Sequence, residues 1–210
     1  MVVVRGAGPA FSAGLDRAMF GADGVDGAPG LLALAAASPE QATATVAGFQ
    51  AGFGWLARPD IVSVAAVQGH AVGAGFQLAL ACDLRIVADD AQFTMAETGL
   101  GLVPDLGGTK RLVELVGYSR AVEICLTGRR VAADEAVRLG LAATVVPAVE
   151  LDAAVQTTVQ ALLKPPRDAV AETKALLLAA SGRSQSDQER AEREAQHRRL
   201  RDLAQLFDER

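Results

Sequence analysis

The stretch "IVSVAAVQGHAVGAGFQLALACDLRIVA" covers residues 61–88 and predicts the central unit of the fold. Its first part, "IVSVAAV" (61–67), is a continuous apolar run rich in β-branched residues, which is typical of a strand buried on both faces of a parallel sheet. A helix is predicted from about Gly75 to Cys82, and "LRIVA" (84–88) predicts the next strand. This strand–helix–strand order indicates an α/β fold.

Strand and helix patterns alternate in the same way on both sides of this stretch. The outer strands are predicted at 2–5, 91–97 and 142–146, and the helices at 39–57 and from about Gly108, Ser119 and Ala133. Only helical patterns follow residue 150. We therefore predict an α/β core over residues 1–149 and a C-terminal helical region over residues 150–210.

The last helix is predicted to begin at a capping box, "SDQE" (186–189), and it is strongly charged. Its narrow apolar stripe consists of Leu200, Leu203, Leu206 and Phe207. Such a stripe is compatible with a solvated helix packed along one edge and equally with a helix that meets a neighbouring subunit.

Bulk composition limits the possible functions. The chain has 210 residues, 50% of them hydrophobic, with a net charge of −5, which predicts a globular protein without a broad basic face for nucleic acid. No apolar run reaches the roughly 18–20 residues of a membrane span. Cys82 and Cys125 lie in apolar runs and are predicted to be buried, reduced thiols of a cytoplasmic protein. Two histidines argue against a His-rich metal site, and no metal ligand is predicted.

Two turns share one design, "FSAGLD" (11–16) and "GHAVGAGFQL" (69–78). Small side chains let a ligand approach the main chain, and N–H groups at a helix start are unpaired at the positive end of the dipole. Two such donors on one oxygen would stabilise an enolate-like anion. The alternative is that the glycines only permit turns and close packing. A dinucleotide site is disfavoured because "GAGFQL" and "GAGPAF" lack the third glycine of the fingerprint.

Three segments together resemble the crotonase superfamily, the enoyl-CoA hydratase/isomerase family. They are "FSAGLD", "VQGHAVGAGFQLALACDLRIVADDAQFTMAETGLGLVPDLGGTKRL" and "LTGRRVAADEAVRLGLAATVV". The resemblance implies a crotonase-like spiral of ββα turns, with a C-terminal helical region that forms trimers or a lid. It implies a homotrimer or dimer of trimers, an acyl-CoA thioester substrate, and no cofactor beyond that coenzyme A. The family pattern continues upstream of Met1, so the core is expected to be short at its N-terminus.

The resemblance also implies roles for individual residues. The oxyanion donors would be the N–H groups of Leu15 and Ala74. The substrate or CoA would be bound by the surrounding residues Ala13, Gly14, Asp16, Ala71, Gly73 and Gly75.

Three polar side chains are the candidates for the catalytic chemistry. Hydratases of this family use two glutamates. Glu97 matches one of them, whereas Gln77 stands at the place of the other and can orient water without taking its proton. Asp105 occupies a place where isomerases often carry an acid, although it could instead cap the following helix. For Glu97 the alternative is a solvated acid at a strand end.

Several further residues are weaker candidates. The acyl pocket could be walled by Phe93, Met95, Leu100, Leu102 and Val103, for most of which core packing is the plainer interpretation. Arg17 and Lys174 could bind CoA phosphates.

The combined prediction is an enzyme that moves protons on an enoyl-CoA, with isomerisation favoured over hydration. The alternatives are a catalytically weak acyl-CoA-binding protein and a thioesterase or decarboxylase on the same scaffold.

Overall fold

The computed structural model describes the backbone of residues 1–208 and the side chains of residues 1–205. The strands are β1 (Val2–Arg5), β2 (Ser63–Val67), β3 (His70–Val72), β4 (Leu84–Ala88), β5 (Gln92–Thr94), β6 (Arg130–Ala132) and β7 (Thr144–Val146). The helices are α1 (Leu31–Ala36), α2 (Pro39–Gly54), α3 (Ala74–Ala81), α4 (Gly108–Val116), α5 (Tyr118–Thr127), α6 (Ala133–Arg138), α7 (Leu151–Leu163), α8 (Arg167–Ala180) and α9 (Gln185–Asp208). Short 3-10 helices occur at Arg17–Phe20, Trp55–Ala57, Glu97–Leu100 and Ala148–Glu150.

Two sheets organise the chain. The larger one has four parallel strands in the order β1-β2-β4-β7. The smaller one has the order β3-β5-β6, in which β3 and β5 are parallel and β6 runs antiparallel to β5. The predicted α/β class is confirmed. Each connection between neighbouring strands of the larger sheet contains at least one helix.

Strand β2 is buried on both faces, as its continuous apolar run predicts. Ala65 and Val67 belong to the main hydrophobic core together with helix α3. Val64 and Ala66 point to the opposite face, where Leu151 of α7 covers them. Helix α7 therefore packs on the sheet, although it lies in the region that the sequence assigns to C-terminal helices.

Arg85, at the second position of β4, fixes the end of α3. Its guanidinium is buried and donates to the carbonyl oxygens of Ala79 and Cys82 at 3.1 and 2.7 Å, and also to that of Leu141. Burial lowers the pKa of Arg85 to about 10. The carbonyl groups at the C-terminal end of a helix suit a cation in this position.

Helices α8 and α9 pack mainly against each other, and one buried cation ties them to the core. Lys174 of α8 donates from Nζ to Asp83 Oδ2 at 2.8 Å and to the Leu56 carbonyl at 3.3 Å. Its side chain is 9% exposed. The expectation that Lys174 binds CoA phosphates is therefore wrong, because its charge is already used inside the protein.

Some local predictions need correction. The expected strand over 91–97 is only β5, and Glu97 begins a 3-10 helix instead. Helix α9 begins before the predicted capping box, and Ser184 Oγ accepts from the Asp187 N–H at 3.2 Å. The side chains of Leu206 and Phe207, half of the predicted apolar stripe, lie outside the described side chains. Within residues 1–208, no helix combines the length and apolar character of a membrane span.

Candidate active site

The two predicted donor turns lie side by side because Ser12, near the start of the first turn, pairs with β3. The Ser12 N–H donates to the His70 carbonyl at 3.0 Å, and the Val72 N–H donates to the Ser12 carbonyl at 3.0 Å. Ser12 forms a parallel bridge with Ala71. The two segments consequently end together, one at Gly14 and the other at Gly73.

Glycine is required where these segments meet. Gly14 has φ 92°, and a Cβ there would lie 2.6 Å from the Val72 carbonyl oxygen. A Cβ on Gly75 would lie 2.5 Å from the Ser12 Cβ and 2.8 Å from the Ser12 carbonyl oxygen. The glycines of "GAG" (73–75) are thus partly a packing requirement. This supports the interpretation that they permit close packing, and the close packing brings the two turns together.

Two backbone donors are left unpaired by this arrangement. Within residues 1–208, neither the Leu15 N–H nor the Ala74 N–H has a backbone or side-chain acceptor. Ala74 is the first residue of α3, whose N-cap Gly73 offers no side-chain bond. An N–H at this position carries the partial positive charge of the helix N-terminus.

Both donor turns border a cavity of about 580 Å³. Its far wall comes from α1 and α2, with Leu31, Leu34, Val46 and Phe49. The charged residues on the wall are Arg17, Glu97 and Asp105. The sequence reasoning missed the wall from α1 and α2, although the spacing of Val46, Phe49 and Phe53 is a helical apolar pattern that could have indicated it.

Glu97 is the best-placed acid on this wall. Its Oε1 accepts from Gln77 Nε2 at 2.7 Å. Its Oε2 is buried and has no hydrogen-bond partner within the described part of the chain. Gly73 lies against this carboxylate, since a Cβ on Gly73 would be 3.3 Å from Oε1. The alternative of a solvated strand-end acid does not fit these contacts.

Gln77 lies behind the wall rather than on it. Its side chain is 1% exposed, and its Oε1 accepts from the N–H groups of Leu106 and Gly108 at 2.8 and 3.3 Å. Its oxygen thus pairs with two backbone N–H groups, and its NH₂ group donates to Glu97 Oε1. The orientation of a water molecule by Gln77 stays a prediction.

Asp105 lies on the cavity wall and does not cap α4. The N-cap of α4 is Gly107, without a side-chain hydrogen bond. The turn that carries Asp105 is tied to α2, because Gln50 Nε2 donates to the Asp105 carbonyl at 2.7 Å. The capping alternative is thus wrong, and the carboxylate shares the cavity with Glu97.

The remaining predicted substrate-binding residues divide into three groups. Ala13, Gly14 and Gly73 line the cavity. Ala71 and Gly75 are buried beneath it, where they pack against Ser12. Asp16 accepts from the Ala18 N–H at 2.9 Å and caps the first 3-10 helix.

The proposed pocket residues divide between the cavity wall and the hydrophobic core. Leu100, Leu102 and Val103 border the cavity, whereas Phe93 and Met95 belong to the buried core. Arg17 is the one basic residue among the cavity's lining within the described residues, and it stays a candidate for an anionic part of a ligand.

Both cysteines are free thiols, and Cys82 is buried as predicted, whereas Cys125 is only partly buried. Burial raises the pKa of Cys82 to about 11. Burial also raises the pKa of Cys125, and the nearby negative charge of Glu97 adds to this effect. Neither thiol is set up as a nucleophile, because the reactive form is the thiolate.

Comparisons with known proteins identify the family. Residues 1–205 match the family described as Enoyl-CoA hydratase/isomerase. A protein of Mycobacterium tuberculosis named "Probable enoyl-CoA hydratase echA8" is 44% identical over 110 residues, which are 52% of this chain and 43% of the relative. The Short-chain-enoyl-CoA hydratase of Clostridium acetobutylicum is 46% identical over 88 residues, 42% of this chain and 34% of the relative. The matches thus span half or less of these relatives' lengths.

Solved structures extend the match to nearly the whole chain. A Thermobifida fusca protein described as an enoyl-CoA hydratase, solved in complex with CoA, superposes with a TM-score of 0.92 at 52% identity and covers 97% of this chain and 77% of that one. The same protein with acetoacetyl-CoA gives a TM-score of 0.90 at 52% identity, covering 96% and 78%. These structures confirm the crotonase-like fold. The chain belongs to the enoyl-CoA hydratase/isomerase family of the crotonase superfamily.

Proposed function

We propose that the chain forms the catalytic part of an acyl-CoA enzyme that stabilises a thioester enolate. The observation that carries the proposal is that two unpaired N–H groups, on Leu15 and Ala74, border one cavity with the Glu97 carboxylate. Both donors would bind the thioester oxygen as negative charge develops on it. Donors of this kind contribute about 3 kcal/mol each to transition-state stabilisation.

The favoured reaction is movement of a double bond in an enoyl-CoA. Glu97 would remove a proton from C2 of a 3-enoyl thioester, and the electron pair would pass to the thioester oxygen. Glu97 or Asp105 would then deliver a proton to C4, which leaves the double bond between C2 and C3. Hydration is the second candidate, since relatives are named hydratases, but the two-carboxylate arrangement for holding water is incomplete with Gln77.

The substrate class follows from the lining and from the relatives. The largely apolar wall suits an acyl chain, and Arg17 offers a positive charge to an anionic group of the CoA. The Thermobifida fusca protein was solved with CoA and with acetoacetyl-CoA. No further cofactor is needed for this chemistry, because the thioester itself makes the C2 proton removable.

Turnover in heavy water distinguishes the candidate activities. Purified protein is incubated with 2-enoyl- and 3-enoyl-CoA thioesters, and the products are resolved by mass. Migration of the 3-enoyl double bond without addition of water supports the isomerase, whereas addition of water to the 2-enoyl substrates supports a hydratase. Free CoA or carbon dioxide would indicate thioesterase or decarboxylase chemistry. Tight acyl-CoA binding with every substrate unchanged would indicate a binding protein.

The role of Glu97 is tested in the same assay. Glu97→Gln keeps the shape of the side chain and removes the base, so turnover should fall by about three orders of magnitude, within the range of a lost general base. Near-normal turnover by a folded Glu97→Gln protein would contradict the proposal.

The donor on Ala74 can be removed without changing a functional side chain. Proline lacks an N–H and is tolerated at the first position of a helix, which is where Ala74 lies. Ala74→Pro should lower kcat by about 100-fold or more, the effect typical of losing one oxyanion donor. Ala74→Ser retains the N–H and is the matched control, with kcat expected near that of the unmodified protein.

We also propose that α8 and α9 mediate assembly into a homotrimer or a dimer of trimers. Leu177, Leu200 and Leu203 are exposed on these helices. Sedimentation velocity should give a mass of three or six chains, and Leu177→Glu should lower it. A monomer at micromolar concentration would contradict the proposal. The cytoplasmic location stays a prediction.

A further inference from the structure

The buried amide of Gln77 joins three parts of the site. Its oxygen accepts hydrogen bonds from the N–H groups of Leu106 and Gly108, at the N-terminus of α4. Its Nε2 donates to Glu97 Oε1 at 2.7 Å. A Cβ on Gly108 would lie 2.7 Å from the Gln77 Cγ, so the side chain passes closely beneath this helix start.

These contacts fix which way the amide faces. Two backbone N–H groups need an acceptor, and the Glu97 carboxylate needs a donor. Only one orientation of the amide satisfies both sides, with its oxygen toward α4 and its NH₂ group toward Glu97. The positive end of α4 favours the same orientation.

The consequence for Glu97 is an unequal pair of carboxylate oxygens. Oε1 is occupied by the Gln77 amide, whereas Oε2 is buried and has no partner in the described residues. We infer that Gln77 is a positioning residue, which holds Glu97 by Oε1 and leaves Oε2 as the oxygen that is free to act as the base. This inference rests on the proposed function.

Positioning of this kind affects rate more than binding. A glutamate that is free to rotate spends less time in line with the C2 proton, and a displacement of about 1 Å can lower a rate by about 100-fold. Substrate binding by the donor turns and the apolar wall does not involve Gln77, which does not line the cavity.

Gln77→Met is the direct test, because methionine has a similar volume and can neither donate to Glu97 nor accept from α4. Gln68→Met is the matched control. Gln68 is a partly buried glutamine away from Glu97, and its Nε2 donates to the carbonyls of Gly6 and Gly8. The reaction followed is deuterium uptake by 3-hexenoyl-CoA in heavy water, with CoA affinity measured by calorimetry.

We expect Gln77→Met to lower kcat by 10- to 100-fold, with KM and CoA affinity changed by less than about twofold. Gln68→Met should leave kcat within about twofold. A wild-type kcat in Gln77→Met, or a loss that falls mainly on KM, would overturn the inference.

A second comparison separates positioning from general structural support. In a Glu97→Gln background, Gln77→Met should change the residual rate by less than about twofold, because the group that it positions has lost its function. If Gln77 had a purely structural role, Gln77→Met would lower the rate by the same factor with Glu97 present and with Glu97→Gln. That result would overturn the inference.

If Gln77→Met fails to fold, Gln77→Asn serves instead, since it keeps a buried amide. Its side chain is one methylene shorter and cannot contact both α4 and Glu97, so a fall in kcat of at least about tenfold is expected, and a wild-type kcat would overturn the inference. Full activity of Glu97→Gln would instead overturn the proposed function itself, which keeps the two failures distinguishable.

Discussion

Helices α3 and α2 face the same cavity and differ in how they are held. Helix α3 has eight residues, of which Gly75, Phe76, Gln77, Ala79 and Leu80 are buried. Helix α2 has sixteen residues, and none of them is buried. The tightly packed side carries Ala74 and Gln77, whereas the loosely packed side provides Val46 and Phe49 of the cavity wall. Under the proposed function, the chemistry would lie on the tightly packed side, and the loosely packed side would set the length of the acyl chain that is accepted.

The largest effect is expected where charge holds the tightly packed side together. Lys174→Met leaves Asp83 without its cation in a largely buried site, which should lower the free energy of unfolding by about 3 kcal/mol. Urea denaturation measures the change. Arg198→Met breaks the Arg198–Glu172 pair, in which the arginine is 53% exposed, and should cost less than about 1 kcal/mol. Equal losses would show that burial of the first pair is unimportant.

The next effect concerns the contact between the two donor turns. Gly75→Ala places a methyl group 2.5 Å from the Ser12 Cβ and 2.8 Å from its carbonyl oxygen. The segment that carries the Leu15 donor must then shift, so we expect a loss of about 2 kcal/mol in unfolding free energy and a drop in kcat. Thermal unfolding and the heavy-water assay measure these. A variant with unchanged stability would contradict the close packing of this side.

Alkaline pH should weaken the tightly packed side at Cys82, which follows α3. Burial raises its pKa to about 11, above the usual value of 9.0 that the unfolded chain should show. Stability linked to the neutral thiol is therefore present below about pH 9 and lost as pH rises toward 11, by about 2 kcal/mol. Urea denaturation across this range should show a steeper decline than for Cys82→Ala. Parallel slopes would contradict the assignment.

On the loosely packed side, substitutions should alter selectivity rather than stability. Val46→Phe adds volume to the acyl wall on α2. We expect kcat/KM for long acyl chains to fall by about tenfold, equivalent to about 1.4 kcal/mol, with little change for a four-carbon substrate. A series of enoyl-CoA thioesters of increasing length measures this. A uniform loss for all lengths would argue against an acyl wall at this position.

The smallest effect should have the opposite sign to that of Gly75→Ala. Gly48 lies inside α2, and a Cβ there would meet nothing within 4 Å. Gly48→Ala should therefore raise the free energy of unfolding by about 0.5 to 1 kcal/mol, through better helix propensity and a less flexible unfolded chain. Thermal unfolding of both alanine variants compares the two helices directly. A destabilised Gly48→Ala would mean that α2 is more tightly packed than its exposure indicates.

The parts predictable from sequence are those with local signals. The continuous apolar run of β2, the small residues before α3 and the capping box that Ser38 and Gln41 form at the start of α2 each act over a few residues, and all three are present. Strands β3 and β6 have only three residues each and exist because β5 pairs with both. No local pattern distinguishes them from turns.

The candidate site was predictable in its residues and less so in their contacts. Glu97 and Asp105 both lie on the cavity, as expected from the motif. The contacts of Gln77 involve residues 20, 29 and 31 positions away, so nothing near Gln77 in sequence indicates that it supports a carboxylate. The buried hydrogen bonds of Lys174 likewise involve partners 91 and 118 positions away.

The donor turns have an evolutionary consequence. A main-chain N–H is encoded by the shape of its turn, not by the identity of the residue that carries it. Every amino acid except proline supplies the same N–H donor at position 15 or 74. The donation of this hydrogen bond therefore does not depend on which side chain stands there. The constraint falls instead on Gly14, with φ 92°, and Gly75, whose missing side chains allow the turns to meet. Lineages should therefore vary more at positions 15 and 74 than at the glycines beside them.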